Sequence, residues 1–327
     1  MKKIFIFPVA ISVATLFAVY MWGGAVAFFL AAILSVLEVT LSFDNAVINA
    51  KVLAKMNPVW QKRFLTWGII VAVFGTRLVL PLLIVSVALW LSPLLVAILA
   101  FSNPEQYAKL LESIRPSISA FGGAFLLMVS LKYFFDEVKE VHWIQVIEKH
   151  LVKWGRIEAI EIALTLLVLL GFSFALPDSS FAILSAGIIG VVLFVLIEGV
   201  AGSLSIETKN IAGGGFALFL YLNILDSAFS LDGVIGAFAI TTKLMVIVAG
   251  LGIGAIFVRT MTVYMVRQKT LENLIYLEHG AHWAILGLAA SMFAGLIIHI
   301  PEVVIGFIGL FFVGFAYFSS LKNRSSK

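Results

Sequence analysis

The chain has 327 residues, 62% of them hydrophobic and only 12% charged, with a formal net charge of +4. Soluble domains carry about 45–50% apolar and about 25% charged residues, so this composition excludes a soluble globular protein and indicates a polytopic membrane chain. Cysteine is absent, which excludes disulfides and thiolate metal sites. No Gly-rich phosphate loop or large hydrophilic block is present to hold a nucleotide or nucleic acid.

Crossing about 30 Å of hydrocarbon takes about 20 apolar residues. On that basis ten spans are expected, at 4–21, 24–52, 64–87, 117–135, 159–176, 180–200, 212–240, 243–266, 281–299 and 302–320. Met1-Lys2-Lys3 before an apolar run, with Ala25-Val26-Ala27 beyond it, has the look of a signal peptide. Retention as a first helix is expected, because cleavage would cut into the next span. Pro58, Pro116, Pro177 and Pro301 fall between spans. The apolar stretch 90–101 is short and interrupted by Ser92-Pro93, and reads as a span, a re-entrant hairpin or an interfacial cap. Charge decides against a span. With 90–101 not crossing and a cytoplasmic N-terminus, only Lys109, Arg115 and Lys243 lie on the far side. Both termini are then expected to be cytoplasmic, in a bacterial-type inner (plasma) membrane. The segment 136–158 mixes charges with Trp143, Ile147 and Trp154, and reads as an amphipathic helix on the cytoplasmic surface, serving as a connector.

Two segments look like copies. Glu38-Val-Thr-Leu-Ser42-Phe-Asp44-Asn45 is matched by Asp226-Ser-Ala-Phe-Ser230-Leu-Asp232-Gly233. An ionised acid at membrane depth costs roughly 2.5–3.5 kcal/mol, so four acids in matched positions point to a cation site. Arg77 follows the first copy by one span and Arg259 follows the second. Counting spans, the copies have opposite orientation, and inverted repeats are a mark of secondary transporters. The expected all-α fold is one membrane domain over 1–327. It has an extra N-terminal helix (4–21), repeat 1 (24–135), the loop and a two-helix connector (136–200), repeat 2 (212–299) and an extra C-terminal helix (302–320).

The paired acids stand six residues apart, which places them about 120° apart on a continuous helix. For both to reach one ion, the first helix of each repeat is expected to break near 42–45 and near 230–233, where Ser, Asp, Asn and Gly favour irregular backbone. The candidate ligands are Glu38, Ser42, Asp44, Asn45, Asp226, Ser230 and Asp232, with Arg77 and Arg259 balancing charge. Four acids against two arginines leave minus two, enough for one divalent ion. An all-oxygen donor set suits Mn2+, Mg2+ or Ca2+ as substrate, with no permanently bound cofactor. Asn49 and Asn223 flank the motifs and read as helix glue; Glu278, His279 and His282 read as interfacial residues.

These residues carry a family resemblance. Leu41-Ser-Phe-Asp44-Asn45-Ala-Val-Ile48, Asp226 to Ile235 and Leu277-Glu-His-Gly-Ala-His-Trp-Ala284 resemble the TerC family of the wider LysE transporter superfamily, closest to a subgroup of unknown function. The resemblance spans about 24–320. It implies a cation exporter, since relatives are linked to manganese efflux, pH-responsive metal homeostasis and tellurite resistance. It carries Glu38, Asp44, Asn45, Asp226 and Asp232 over as motif positions. Gly233 departs from the Ser or Asn common there, so unequal half-sites are expected. The resulting expectation is a non-enzymatic secondary transporter exporting a divalent cation, Mn2+ first, with protons as coupling ion and lipid as surroundings. The alternatives are a membrane scaffold or stress-response factor without transport, and a cation channel. Oligomeric state is left open.

Overall fold

The computed structural model describes residues 3–139, 141–207, 213–298 and 300–325; the side chain of Asp232 and all of His299 lie outside what it describes. Its helices, in chain order, are α1 (Lys3–Leu41), α2 (Phe43–Ala54), α3 (Pro58–Leu65) and α4 (Trp67–Ile70), followed by a π-helical segment, Val71–Val79. Next come α5 (Leu80–Ala88), α6 (Pro93–Ser102), α7 (Pro104–Ser113), α8 (Arg115–Phe134), α9 (Gln145–Trp154), α10 (Ile160–Ala175) and α11 (Ser180–Glu207). The last five are α12 (Gly213–Ile240), α13 (Leu244–Arg267), α14 (Thr270–Asn273), α15 (Leu277–Ala294) and α16 (Glu302–Ser325). The fold is an all-helical polytopic bundle.

Among the described residues, seven helical stretches are long and apolar enough to cross a membrane: Ile4–Leu41, Pro58–Ala88, Arg115–Phe134, Pro177–Gly199, Gly215–Ile240, Leu244–Arg267 and Val304–Arg324. The count differs from ten for identifiable reasons. The first stretch is two arms. Gly24 sits at φ 71°, ψ −169°, a backbone region open essentially to glycine alone. Leu34 and Glu38 pack against Gly250 and Gly254, while the Phe5 ring lies 5.7 Å from that of Tyr264. Tyr264 is only about 15 Å beyond Gly254 along α13, whereas a straight α1 would separate Phe5 from Glu38 by about 50 Å. The chain therefore folds back at Gly24, and the second arm runs alongside α13 in the same direction. The expected spans at 159–176 and 281–299 coincide with α10, of 16 residues, and α15, whose first turns carry Glu278, His279 and His282.

A side chain at Gly24 would meet nothing within 4 Å, so Gly24→Ala isolates the backbone term. It is expected to lower stability by about 1–3 kcal/mol, read as a drop in the unfolding midpoint of purified protein in detergent. An unchanged midpoint would contradict the hairpin.

The stretch 90–101 does not span. Trp90 turns the chain at φ 55°, and α6 has ten residues, about 15 Å. Its Val96 and Ala100 are buried in one cluster with Val85, Tyr107 and Leu111, so α6 and α7 form a short hairpin over the end of α5. The largest apolar cluster joins α2, α8, α11, α12 and α15 through residues such as Val47, Phe125, Phe194, Leu225 and Ile285.

The breaks expected in the motif helices are not what forms. Between α1 and α2 only Ser42 departs from helix, and the ladder continues across it: Ser42 N–H donates to Glu38 O at 3.0 Å and Ala46 N–H to Ser42 O at 3.1 Å. In the second copy α12 runs unbroken through 230–233, because no proline interrupts it and helix keeps every backbone group bonded in an apolar setting. The pronounced irregularity lies elsewhere, in the π-helical turns before Pro81. Proline removes the N–H that Arg77 O would accept, and its ring crowds that carbonyl.

Candidate functional site

Each half of the molecule buries one acid–arginine pair. In the first half, Glu38 projects from the end of α1 and Arg77 from the π-helical segment, 2% exposed each. They form a short ion pair, Arg77 Nη2 to Glu38 Oε1. Ser42 Oγ donates to the same oxygen at 3.0 Å, and Arg77 Nη1 donates to Ala72 O at 2.6 Å. The wide π turn aligns the arginine with that carbonyl, five residues back. In the second half, Asp226 lies on α12 and Arg259 on α13. Arg259 Nη2 donates to Asp226 Oδ2 and to Asn223 Oδ1, both at 3.0 Å. The Arg259 guanidinium also lies 4.4 Å from the Phe64 ring centre, a cation–π contact onto the other half. Gly68 leaves the room: a methyl group there would stand 2.6 Å from Arg259 Nη1.

A hydrogen bond joins the two motifs. Asn45 Nδ2 donates to Asp226 Oδ1 at 2.8 Å, so Asp226 uses one oxygen within its own half and the other across the seam. Gly233 faces the free side of Glu38, where a Cβ would lie 3.4 Å from Oε2. Gly254 lets α13 close on the Glu38 stem. Asp44, buried on the first turn of α2, accepts at Oδ1 from the Asn45 N–H at 2.9 Å. Several buried polar atoms here have no hydrogen-bond partner among the described residues: Asn45 Oδ1, Ser230 Oγ, and both amide atoms of Asn49. Such orphans are rare in folded proteins and each costs about 1–3 kcal/mol.

The structure thus brings Glu38, Ser42 and Arg77 together, and Asp226, Asn223, Arg259 and Asn45 together. It places Asp44 beside Asn45 but on no arginine. Among the described residues, no three of His, Asp and Glu stand close enough to hold one ion. Glu38 and Asp226 are instead each engaged by an arginine. Asn223, expected as helix glue, is a direct partner of Arg259.

A second cluster escaped the sequence reading. Glu148 of α9 is fully buried. His279 Nδ1 lies 2.9 Å from its Oε2, Trp283 Nε1 donates to Oε1 at 3.1 Å, and Lys139 Nζ pairs with Oε2 at 3.0 Å. The N–H groups of Trp143 and Ile144 complete its shell at 3.2 and 3.3 Å. Burial works against its charge, but His279, Lys139 and Trp283 hold the carboxyl below its ordinary range. Burial also lowers the Lys139 ammonium and the His142 imidazole. The segment 136–158 is therefore not a free surface helix. It docks by its acid and leaves Val146, Ile147 and Trp154 exposed. His279 and His282 are both buried, and His282 stacks on Tyr133 at 3.5 Å. The signal that was available was the spacing of His279 and Trp283, one turn apart on one face.

Seven apolar spans around buried ion pairs define an integral membrane protein of the polytopic helical class. The chain belongs to the family described as protein of unknown function (DUF475), matched over residues 43–326. That stretch takes in Asp44, Asn45, Asp226 and Asp232 and begins after Glu38. No curated protein and no solved structure matches the chain.

Proposed function

We propose that this protein is a secondary transporter that exports a divalent cation, Mn2+ first and Mg2+ or Ca2+ otherwise, through the polar seam between its two acidic motifs. The observation that carries this reading is the Asn45–Asp226 bond across the seam, flanked by buried oxygens with no partner among the described residues. Carboxylate, amide and hydroxyl oxygens are hard donors, suited to such ions. With Glu38 and Asp226 balanced by arginines, Asp44 and Asp232 supply the two negative charges left for the ion. The parallel course of α13 and the second arm of α1 accords with two inverted repeats working by alternating access. The TerC resemblance, cytoplasmic termini, an inner-membrane location and proton coupling belong to the same reading.

One observation favours a scaffold or stress-response factor instead: among the described residues no three acids or histidines share a site. Reconstituted vesicles separate the two. Purified protein should give saturable Mn2+ flux above empty vesicles, with Mg2+, Ca2+, Zn2+ and Fe2+ compared alongside. Flux of every ion at the empty-vesicle rate would leave the scaffold. Flux indifferent to an imposed proton gradient would favour a channel.

A further inference from the structure

The α2 face that bears Asp44 continues through Ile48, Lys51 and Lys55, the i, i+4, i+7, i+11 stripe of one helix side. Those last three residues wall a cavity of about 600 Å3. Asp44 therefore lies one turn inward of the cavity's deep end, where Ile48 is only 4% exposed. The lining is acidic on balance: five acids, Glu161 and Glu198 among them, against three lysines. The wall also takes in the two ends of one segment, Phe135 to Val138 at one end and Gly155, Ile157, Glu158 and Ala159 at the other. Those ends touch at a neck, where Gly155 leaves no room for a side chain against Phe135 O. The middle of the segment is α9, fastened by Glu148 to His279 and Trp283 of α15. The adjoining Glu278 pairs with Lys51 on the α2 stripe. Lys51 and Lys139 both lie over the Tyr133 ring, at 5.3 and 4.1 Å, and that ring stacks on His282. One contiguous set of contacts thus joins the docked segment to the helix that carries Asp44.

We propose that this cavity is the antechamber through which a hydrated divalent cation approaches Asp44, and that the segment 135–159 is its gate, held closed by Glu148. The occupant rests on the transport reading; the gate does not.

The chain has no cysteine, so Ile48→Cys introduces a single thiol at the deep end. Thr76→Cys places a control thiol in the π-helical segment, 2% exposed and away from the cavity. Purified full-length protein in detergent is then reacted with charged thiosulfonate reagents, with and without Glu148→Ala. Modification of Ile48→Cys should speed up tenfold or more with Glu148→Ala and less with Glu148→Gln, which keeps an acceptor for Trp283. Thr76→Cys should not change. A cationic reagent should outpace an anionic one of equal size at Ile48→Cys. No acceleration at Ile48→Cys, or equal acceleration at both thiols, would overturn the gate. Preference for the anionic reagent would overturn the cation antechamber. No transported ion is needed, so the outcome is separate from that of the flux measurement.

Discussion

Asp44→Asn is expected to abolish Mn2+ flux in vesicles while leaving the protein folded and at least as stable. Asp44 is buried, its resolved partner is the N–H of the next residue, and no arginine balances it. An ionised acid in that setting weakens the fold, by roughly 2.5–3.5 kcal/mol on insertion scales. Removing the charge therefore raises the unfolding midpoint or leaves it unchanged. A ligand for a divalent cation behaves in the opposite way. Loss of one charged contact of about 2.7 kcal/mol is about a hundredfold in binding. The two readouts must part: stability up or level, flux down about a hundredfold or more. An Asp44 that served only to hold helices together would show lowered stability and unchanged flux.

The second large effect concerns the arginines. Arg259→Leu takes the ion-pair partner from the buried Asp226, which keeps its bond from Asn45, and breaking a buried pair from one side costs about 3–5 kcal/mol. The loss of the Phe64 contact adds to this. Adding Asp226→Asn to Arg259→Leu removes the stranded charge and should recover most of the lost stability, since paired neutral replacements are often nearly neutral. Chemical unfolding in detergent of the parent, the two single variants and the double variant reads the coupling. Additive losses in the double variant would mean that Arg259 acts through packing alone. The same cycle on Glu38 and Arg77 should give the same sign, with Ser42 softening the loss of Arg77 through its bond to Glu38.

The membrane-helical class was legible in composition. The partnership of Glu38 with Arg77, and of Asp226 with Arg259, could be traced to matched places in two similar segments, because a buried acid needs a cation and each half offers one on the following span. The turn at Gly24 falls on the first residue of the second expected span. Three things were hidden. Ser42 and Ser230 occupy matched positions, yet α1 gives way at Ser42 and α12 stays whole through Ser230. Residue propensity alone does not distinguish the two, since the decision rests on packing around each helix. The π turns before Pro81 follow from a proline that hydropathy reads as one more apolar residue. Glu148 sits among surface-looking neighbours, and its burial depends on donors 131 and 135 residues away, at His279 and Trp283. Pairings at that range leave no periodic trace in the chain.

On the transport reading, oxygens from both halves gather around one divalent ion in the seam. Crystals grown with Mn2+, with diffraction recorded on both sides of the manganese absorption edge, test it most directly. An anomalous peak is expected within ligand distance of Asp44 and of the second motif on α12, lost in Asp44→Asn crystals. A manganese peak confined to the surface, with none in the seam, would contradict it.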